Sequence, residues 1–94
     1  MNQQITLNIR YDIPDEEWEK IGEVYRSMDG WLDGQEYPYW YGTESDPRYI
    51  SASVEPGGIQ FCGEIEPDIW VGWLTVLCAK LTQALGREIH DAEM

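Results

Sequence analysis

Positive charge is scarce in this chain of 94 residues. Six Lys and Arg residues and one His stand against 18 Asp and Glu residues, which gives a net charge of -12. Such a field repels phosphate, so direct binding to nucleic acid or to an anionic membrane is disfavoured. The partner that this charge favours is a basic protein surface, because opposite fields raise the rate of encounter.

Cysteine and long apolar runs are also rare. Only Cys62 and Cys78 are present, whereas small secreted domains that depend on disulfides carry more, so we expect two reduced thiols. The first residues lack a basic stretch followed by an apolar run, and nowhere do 18 apolar residues occur together. These absences predict a cytoplasmic protein without a membrane-spanning segment.

Sequence motifs for catalysis, cofactors and metals are missing as well. The chain has neither G-x-G-x-x-G nor G-x-x-x-x-G-K-[ST], so no phosphate cradle is encoded. A catalytic triad would have to use His90, the sole histidine, and one histidine with two distant cysteines lacks the spacing of a zinc site. We therefore expect no enzyme activity, no cofactor and no metal. Paired acids such as Glu64 and Glu66 leave a carboxylate-based enzyme as a third alternative.

The residues that are abundant suffice for one folded domain. Hydrophobic residues make up 43% of the chain and aromatic residues 13%, well above the composition of a disordered acidic tail. Size scaling allows a single modest core in a chain of this length. We expect one domain over residues 1–94.

The first half of the chain alternates between strand and helix patterns. Alternating apolar residues over 3–11 predict a strand. Pro14 and the three acids after it open a helix, whose apolar residues recur at three- and four-residue steps as far as Met28. An extended segment at 37–42 then follows a glycine-rich loop.

The second half predicts a hairpin and a long helix. Extended segments at 48–55 and 59–65 flank the turn sequence EPGG. A second helix begins at Pro67 and ends at Gly86, and the tail REIHDAEM is expected as a short closing strand, with a frayed helix as the alternative. The order β-α-β-β-β-α, with one more strand if the tail closes the sheet, predicts an α+β fold. This fold is an antiparallel sheet of four strands, or five, with two helices on one face and the other face open.

Segment 30–49, GWLDGQEYPYWYGTESDPRY, combines aromatic residues with acidic ones. In a strand, Tyr37, Tyr39 and Tyr41 would share one face and Trp40 would lie on the other, and the proline among them indicates a sheet edge. Burying all these rings is costly, because each tyrosine hydroxyl then needs a partner. We therefore predict a partner-binding surface of aromatic anchors with a charged rim, formed by Trp31, Asp33, Glu36, Tyr37, Tyr39, Trp40, Tyr41, Glu44 and Asp46.

Two sequence segments, YISASVEPGGIQFCGEI and the helix end LGREIHDAEM, resemble segments of a known class of proteins. Over residues 30–94 the chain resembles small acidic immunity proteins of bacterial polymorphic and contact-dependent toxin systems. The resemblance implies a cytosolic, non-catalytic protein that binds one cognate toxin domain, often a nuclease, and blocks its active site. It fixes neither the topology nor the binding residues. A nuclease domain is basic because it holds phosphate, which agrees with the acidity of this chain.

Two functions follow as hypotheses. The first is a non-catalytic acidic module, most simply an immunity protein, that neutralises a basic cognate toxin domain and is itself a monomer or a homodimer. The second is a small carbohydrate- or ligand-binding module that uses the rings as a platform, since sugars are neutral and stack on tryptophan.

Overall fold

The computed structural model describes residues 2–93, and the elements follow the predicted order β-α-β-β-β-α. The strands form one antiparallel sheet in the order β1-β4-β3-β2. The predicted α+β class, with a four-stranded sheet and two helices, is confirmed. The elements are β1 (Asn2–Leu7), α1 (Asp15–Ser27), β2 (Tyr39–Trp40), β3 (Tyr49–Glu55), β4 (Gly58–Glu64) and α2 (Pro67–Leu85).

Strands β3 and β4 form the hairpin that the sequence EPGG predicts. Pairing continues as far as Glu55 opposite Gly58, so two residues form the turn. Ala52 lies opposite Phe61, and alternation along both strands places their apolar residues on one face. This inner face of the sheet packs against the two helices and forms one side of the hydrophobic core.

Both helices contribute their apolar stripes to the core. Helix α1 buries Ile21 and Tyr25, and α2 buries Trp73 and Leu77. Gly63 of β4 lets α2 approach the sheet closely, because a Cβ atom there would lie 2.6 Å from the ring of Trp70. The largest fully buried side chains are Trp40, Phe61, Leu7, Ile9, Ile21, Ile50, Ile59, Leu77 and Leu81.

Helix α2 ends where the sequence predicts. Gly86 adopts a left-handed conformation with φ of 71°, and its N–H donates to the carbonyl oxygen of Thr82 at 3.0 Å. Glycine accepts this conformation without the Cβ clash that other residues suffer. The helix therefore stops at its last apolar residue, Leu85.

Two predicted strands are too long. Strand β1 ends at Leu7 rather than at Tyr11, because the N–H of Ile9 donates to the carbonyl of Leu7 at 2.8 Å and the chain turns away from the sheet. Strand β2 contains two residues rather than the six of 37–42, because Tyr41 has a positive φ of 70°. The prediction that this strand lies at a sheet edge is confirmed.

The C-terminal tail runs beside β1 without becoming a strand of the sheet. Asp91 forms an isolated bridge with Leu7, and the side chain of Asn8 bonds the backbone of Glu88 and His90. Within residues 2–93 the sheet therefore has four strands, and the frayed-helix alternative is wrong. Met94, the last residue of the predicted closing strand, lies outside the described residues. Neither helix in this part of the chain combines the length and apolarity needed to cross a membrane.

Candidate functional site

The rings of segment 30–49 point in different directions. Trp40 enters the core, Tyr39 lies on the open face of the sheet, and Tyr37 and Tyr41 line two separate grooves. The prediction that the three tyrosines share one face is wrong, because the extended conformation lasts for only two residues.

Trp40 belongs to the core. Its side chain is 0% exposed, and its ring centroid lies 5.0 Å from that of Tyr25 and 4.8 Å from that of Trp73. The indole Nε1 donates to the carbonyl oxygen of Tyr25 at 3.0 Å, which satisfies its one polar group. The prediction that Trp40 anchors a partner is therefore wrong.

Trp31 is half-buried over the same cluster. Its ring centroid lies 5.6 Å from that of Trp40, and its Nε1 donates to Oδ1 of Asp33 at 2.8 Å. Asp33 thus fixes the orientation of the Trp31 ring. The predicted pair lies together, with the carboxylate exposed and the ring partly covered.

Three tyrosines gather where β2 meets β3, and we call Tyr37, Tyr39 and Tyr49 the tyrosine edge. The ring centroids of Tyr39 and Tyr49 are 6.4 Å apart on the open face, in an edge-to-face arrangement. Tyr37 is 62% exposed. Burial first, and then the nearby carboxylate of Glu44, raise the pKa of Tyr39. The tyrosine edge therefore offers neutral rings beside a negative charge.

An apolar groove of about 520 Å³ lies on the other side of this edge, and we call it the α1–β3 groove. Trp18, Gly22 and Tyr25 of α1 form one wall, and the end of β3 forms the opposite wall. Tyr37 lines its mouth, so the groove adjoins the tyrosine edge. No local sequence pattern indicates this groove, because its walls come from elements distant along the chain.

Tyr41 occupies a second groove of about 370 Å³, beside α2. Its ring packs under Gly30, where a Cβ atom would lie 2.8 Å from ring carbons, and the guanidinium carbon of Arg48 lies 5.8 Å from the ring centroid. Burial raises the pKa of the Tyr41 hydroxyl. Because Asp68 and Lys80 also line this groove, it carries charges of both signs.

The four predicted rim acids are all exposed, but two of them have structural roles. Asp46 accepts hydrogen bonds from the N–H and the hydroxyl of Thr43, at 2.7 and 3.2 Å, and so closes a turn. Asp33 holds Trp31 as described above. Three acids lie close to the tyrosine edge: Glu44 near Tyr39, Glu64 opposite Tyr49 on β4, and Glu36, which is adjacent to Tyr37 in the chain.

The ion pairs of the described residues neutralise little of the surface. Arg10 pairs with Asp12, Arg48 with Glu66, and Arg87 with Glu17, each at 2.9 Å. Full pairing of every cation would still leave the net charge at -12. The surface therefore presents a negative field to any partner.

The cysteines and the histidine lie in environments that do not activate them. Cys62 and Cys78 are both free, and burial raises the pKa of each thiol, which keeps it protonated. A ring nitrogen of His90 lies 2.8 Å from the carbonyl oxygen of Asp91. Within residues 2–93, no three His, Cys, Asp or Glu side chains converge as they would around a metal ion.

Searches against family models, characterised proteins and solved structures gave no match for this chain.

Proposed function

We propose that this chain is a non-catalytic inhibitor that binds a basic protein, most simply the toxin domain for which an immunity protein would be the antidote. The observation that carries the proposal is the tyrosine edge with Glu36 and Glu44 beside it, on a protein of net charge -12. Trp40 takes no part in this surface, since it is buried.

Tyrosine and carboxylate have complementary roles in such a surface. An aromatic ring supplies contact area at low cost in conformational entropy, and it is a frequent hot spot of protein interfaces. Carboxylates around it pair with Lys and Arg of the partner and speed their encounter. Stacking on single-stranded nucleic acid would need the same rings in a positive groove, whereas this field is negative.

The proposal is tested by recovering a partner and measuring its affinity. The chain is crosslinked in cells that carry its gene, and a basic protein that co-purifies is titrated calorimetrically against the wild type. Tyr39→Ala should weaken a one-to-one complex by about 2 kcal/mol. Val71→Ala, which truncates a side chain that is 61% exposed on α2, is the matched control and should change the affinity little.

Two results would overturn the proposal. One is a complex whose affinity Tyr39→Ala leaves unchanged while circular dichroism shows an intact fold. The other is the failure of any basic protein to form a stoichiometric complex.

A second candidate function is supported by the α1–β3 groove. Its volume of about 520 Å³ lies in the range of small-molecule sites, and Trp18 and Tyr37 offer rings for stacking. Sugars and small apolar compounds can be screened by the shifts of amide resonances around Trp18. Saturable binding at this groove, in a chain that binds no basic protein, would favour the ligand-binding module.

A further inference from the structure

Within residues 2–93, the second half of strand β3 has no paired strand on its outer side. Strand β3 contains seven residues, but β2 pairs only with Ile50 and Ser51. Pro38 precedes β2 and has no N–H, so the ladder cannot continue toward Ala52 with a full set of hydrogen bonds. Residues 52–55 therefore form an open sheet edge about 14 Å long.

At this edge, the N–H and C=O groups of alternate residues point away from β4. Because a two-residue turn closes the hairpin, Glu55 and Gly58 exchange hydrogen bonds across it. Hydrogen-bonded and non-bonded positions alternate along an antiparallel strand, so Ala52 and Val54 direct their N–H and C=O groups away from β4. Polar groups arranged in this way can pair with an added strand.

The α1–β3 groove lies directly beside this edge. Ala52 and Val54 are also part of the groove wall, and Val54 is 53% exposed. Every second side chain of an added strand would point toward the groove, between α1 and β3. Gly22 deepens the α1 wall, because it contributes no side chain.

The charges around the edge favour one kind of occupant. Glu55 ends β3, and Asp15 and Glu19 lie on α1 at helical positions that flank Trp18 and Gly22, all of them exposed. Arg26 brings a positive charge to this side, with its Nη1 atom 3.2 Å from a Cβ placed on Gly22, and Arg10, next to Tyr11, is paired with Asp12. Because the Arg10 charge is offset by Asp12, the three acids exceed the remaining charge of Arg26, so basic side chains fit the rim better than acidic ones.

We infer that an extended, basic segment of the partner protein adds to β3 at residues 52–55 and places an apolar side chain in the α1–β3 groove. This inference rests on the proposed function, because it names the part of the basic partner that is recognised. A second copy of this chain is a poor occupant, since both surfaces would carry the same negative charge.

The first test uses random octapeptides displayed on phage and selected against the full chain. The enriched sequences should alternate apolar residues with neutral or basic ones and contain Lys or Arg. A synthetic peptide of the enriched sequence should slow amide hydrogen exchange at Val54, and N-methylation of its edge-facing amides should weaken binding about tenfold or more. Enriched peptides that instead leave Val54 unprotected, or bind equally well when N-methylated, would overturn the inference.

A protein variant provides an independent test. Val54→Pro removes an N–H that faces outward, so it should weaken the peptide about tenfold while the hairpin remains intact by circular dichroism. Val54→Thr keeps the N–H and a β-branched side chain, and it should bind within about threefold of the wild type. Equal weakening by both variants would contradict strand addition, because it would point to loss of apolar contact alone.

The outcomes separate this inference from the proposed function. If Val54→Pro leaves the cognate complex unchanged while Tyr39→Ala weakens it, the proposed function stands and strand addition falls. If peptides bind this edge but no basic protein is recovered, the proposed function falls. Dimerisation of the chain through 52–55, seen by light scattering and lost in Val54→Pro, would identify a second copy as the occupant and overturn the inference.

Discussion

Trp40 and Tyr37 show how sharply single side chains differ within one segment. Trp40→Ala should lower the free energy of unfolding by about 3–5 kcal/mol, because it leaves a cavity among Tyr25, Phe61 and Trp73. Tyr37→Ala removes an exposed ring and should cost no more than about 0.5 kcal/mol. Urea denaturation of both variants measures the difference. A cost below about 1 kcal/mol for Trp40→Ala would contradict the core assignment.

Tyr25 should make stability depend on pH in the alkaline range. Burial raises the pKa of its hydroxyl above the value of about 10 that an unfolded tyrosine has. Its contribution to stability is therefore complete below pH 10, and it declines as the pH rises above 10, by about 1.4 kcal/mol per pH unit for one group. Tyr25→Phe keeps the ring contacts and should flatten this decline. The prediction fails if urea denaturation between pH 9 and about 11.5 gives the same slope for both proteins.

At the scale of elements, a glycine inside α2 and the glycine that caps its C-terminus should respond in opposite directions to alanine. Gly86 ends the helix with a positive φ of 71°, so Gly86→Ala should destabilise the protein by about 1 kcal/mol. Gly72 lies inside the same helix, and Gly72→Ala should stabilise it by roughly 0.5–1 kcal/mol. A Cβ atom meets nothing within 4 Å at either position, so the contrast isolates the backbone. Changes of the same sign in thermal denaturation would refute it.

Elements with a strong local signal could be predicted from the sequence. Helix α2 has an apolar stripe between Pro67 and Gly86, and the hairpin has EPGG at its turn, so neighbours along the chain suffice to define both. The length of β2 could not be predicted, because it depends on the positive φ of Tyr41 under Gly30.

The candidate site could be predicted only in part for a related reason. Alternation places Tyr39 and Trp40 on opposite faces, but it does not say which face turns inward. The tertiary structure decides this by giving the Trp40 indole a carbonyl acceptor on α1. The α1–β3 groove joins residues from Trp18 to Ile59, which only the folded chain brings together.

At the scale of the whole molecule, the excess of acid should reduce stability at low salt. At a net charge of -12, the excess carboxylates of the folded protein repel one another. Salt weakens this repulsion, because the screening length falls from about 30 Å at 0.01 M salt to about 8 Å at 0.15 M. Raising NaCl over this range should increase the Tm by at least about 4 °C, the shift produced by about 1 kcal/mol in a domain of this size. KCl should act equally, since screening is not ion-specific. A Tm that is unchanged or falls would contradict strong self-repulsion.

The central claim is that a particular edge of this acidic protein, rather than its net charge alone, captures a basic partner. The most direct measurement is the affinity of the recovered basic protein for two variants with the same loss of charge. Glu36→Gln with Glu44→Gln removes two acids beside the tyrosine edge, and Glu88→Gln with Glu93→Gln removes two from the tail beside β1, at the opposite edge of the sheet. We predict about tenfold weaker binding for the first pair and less than about threefold for the second. Equal weakening by the two pairs would show that net charge alone governs the association, and would contradict the claim.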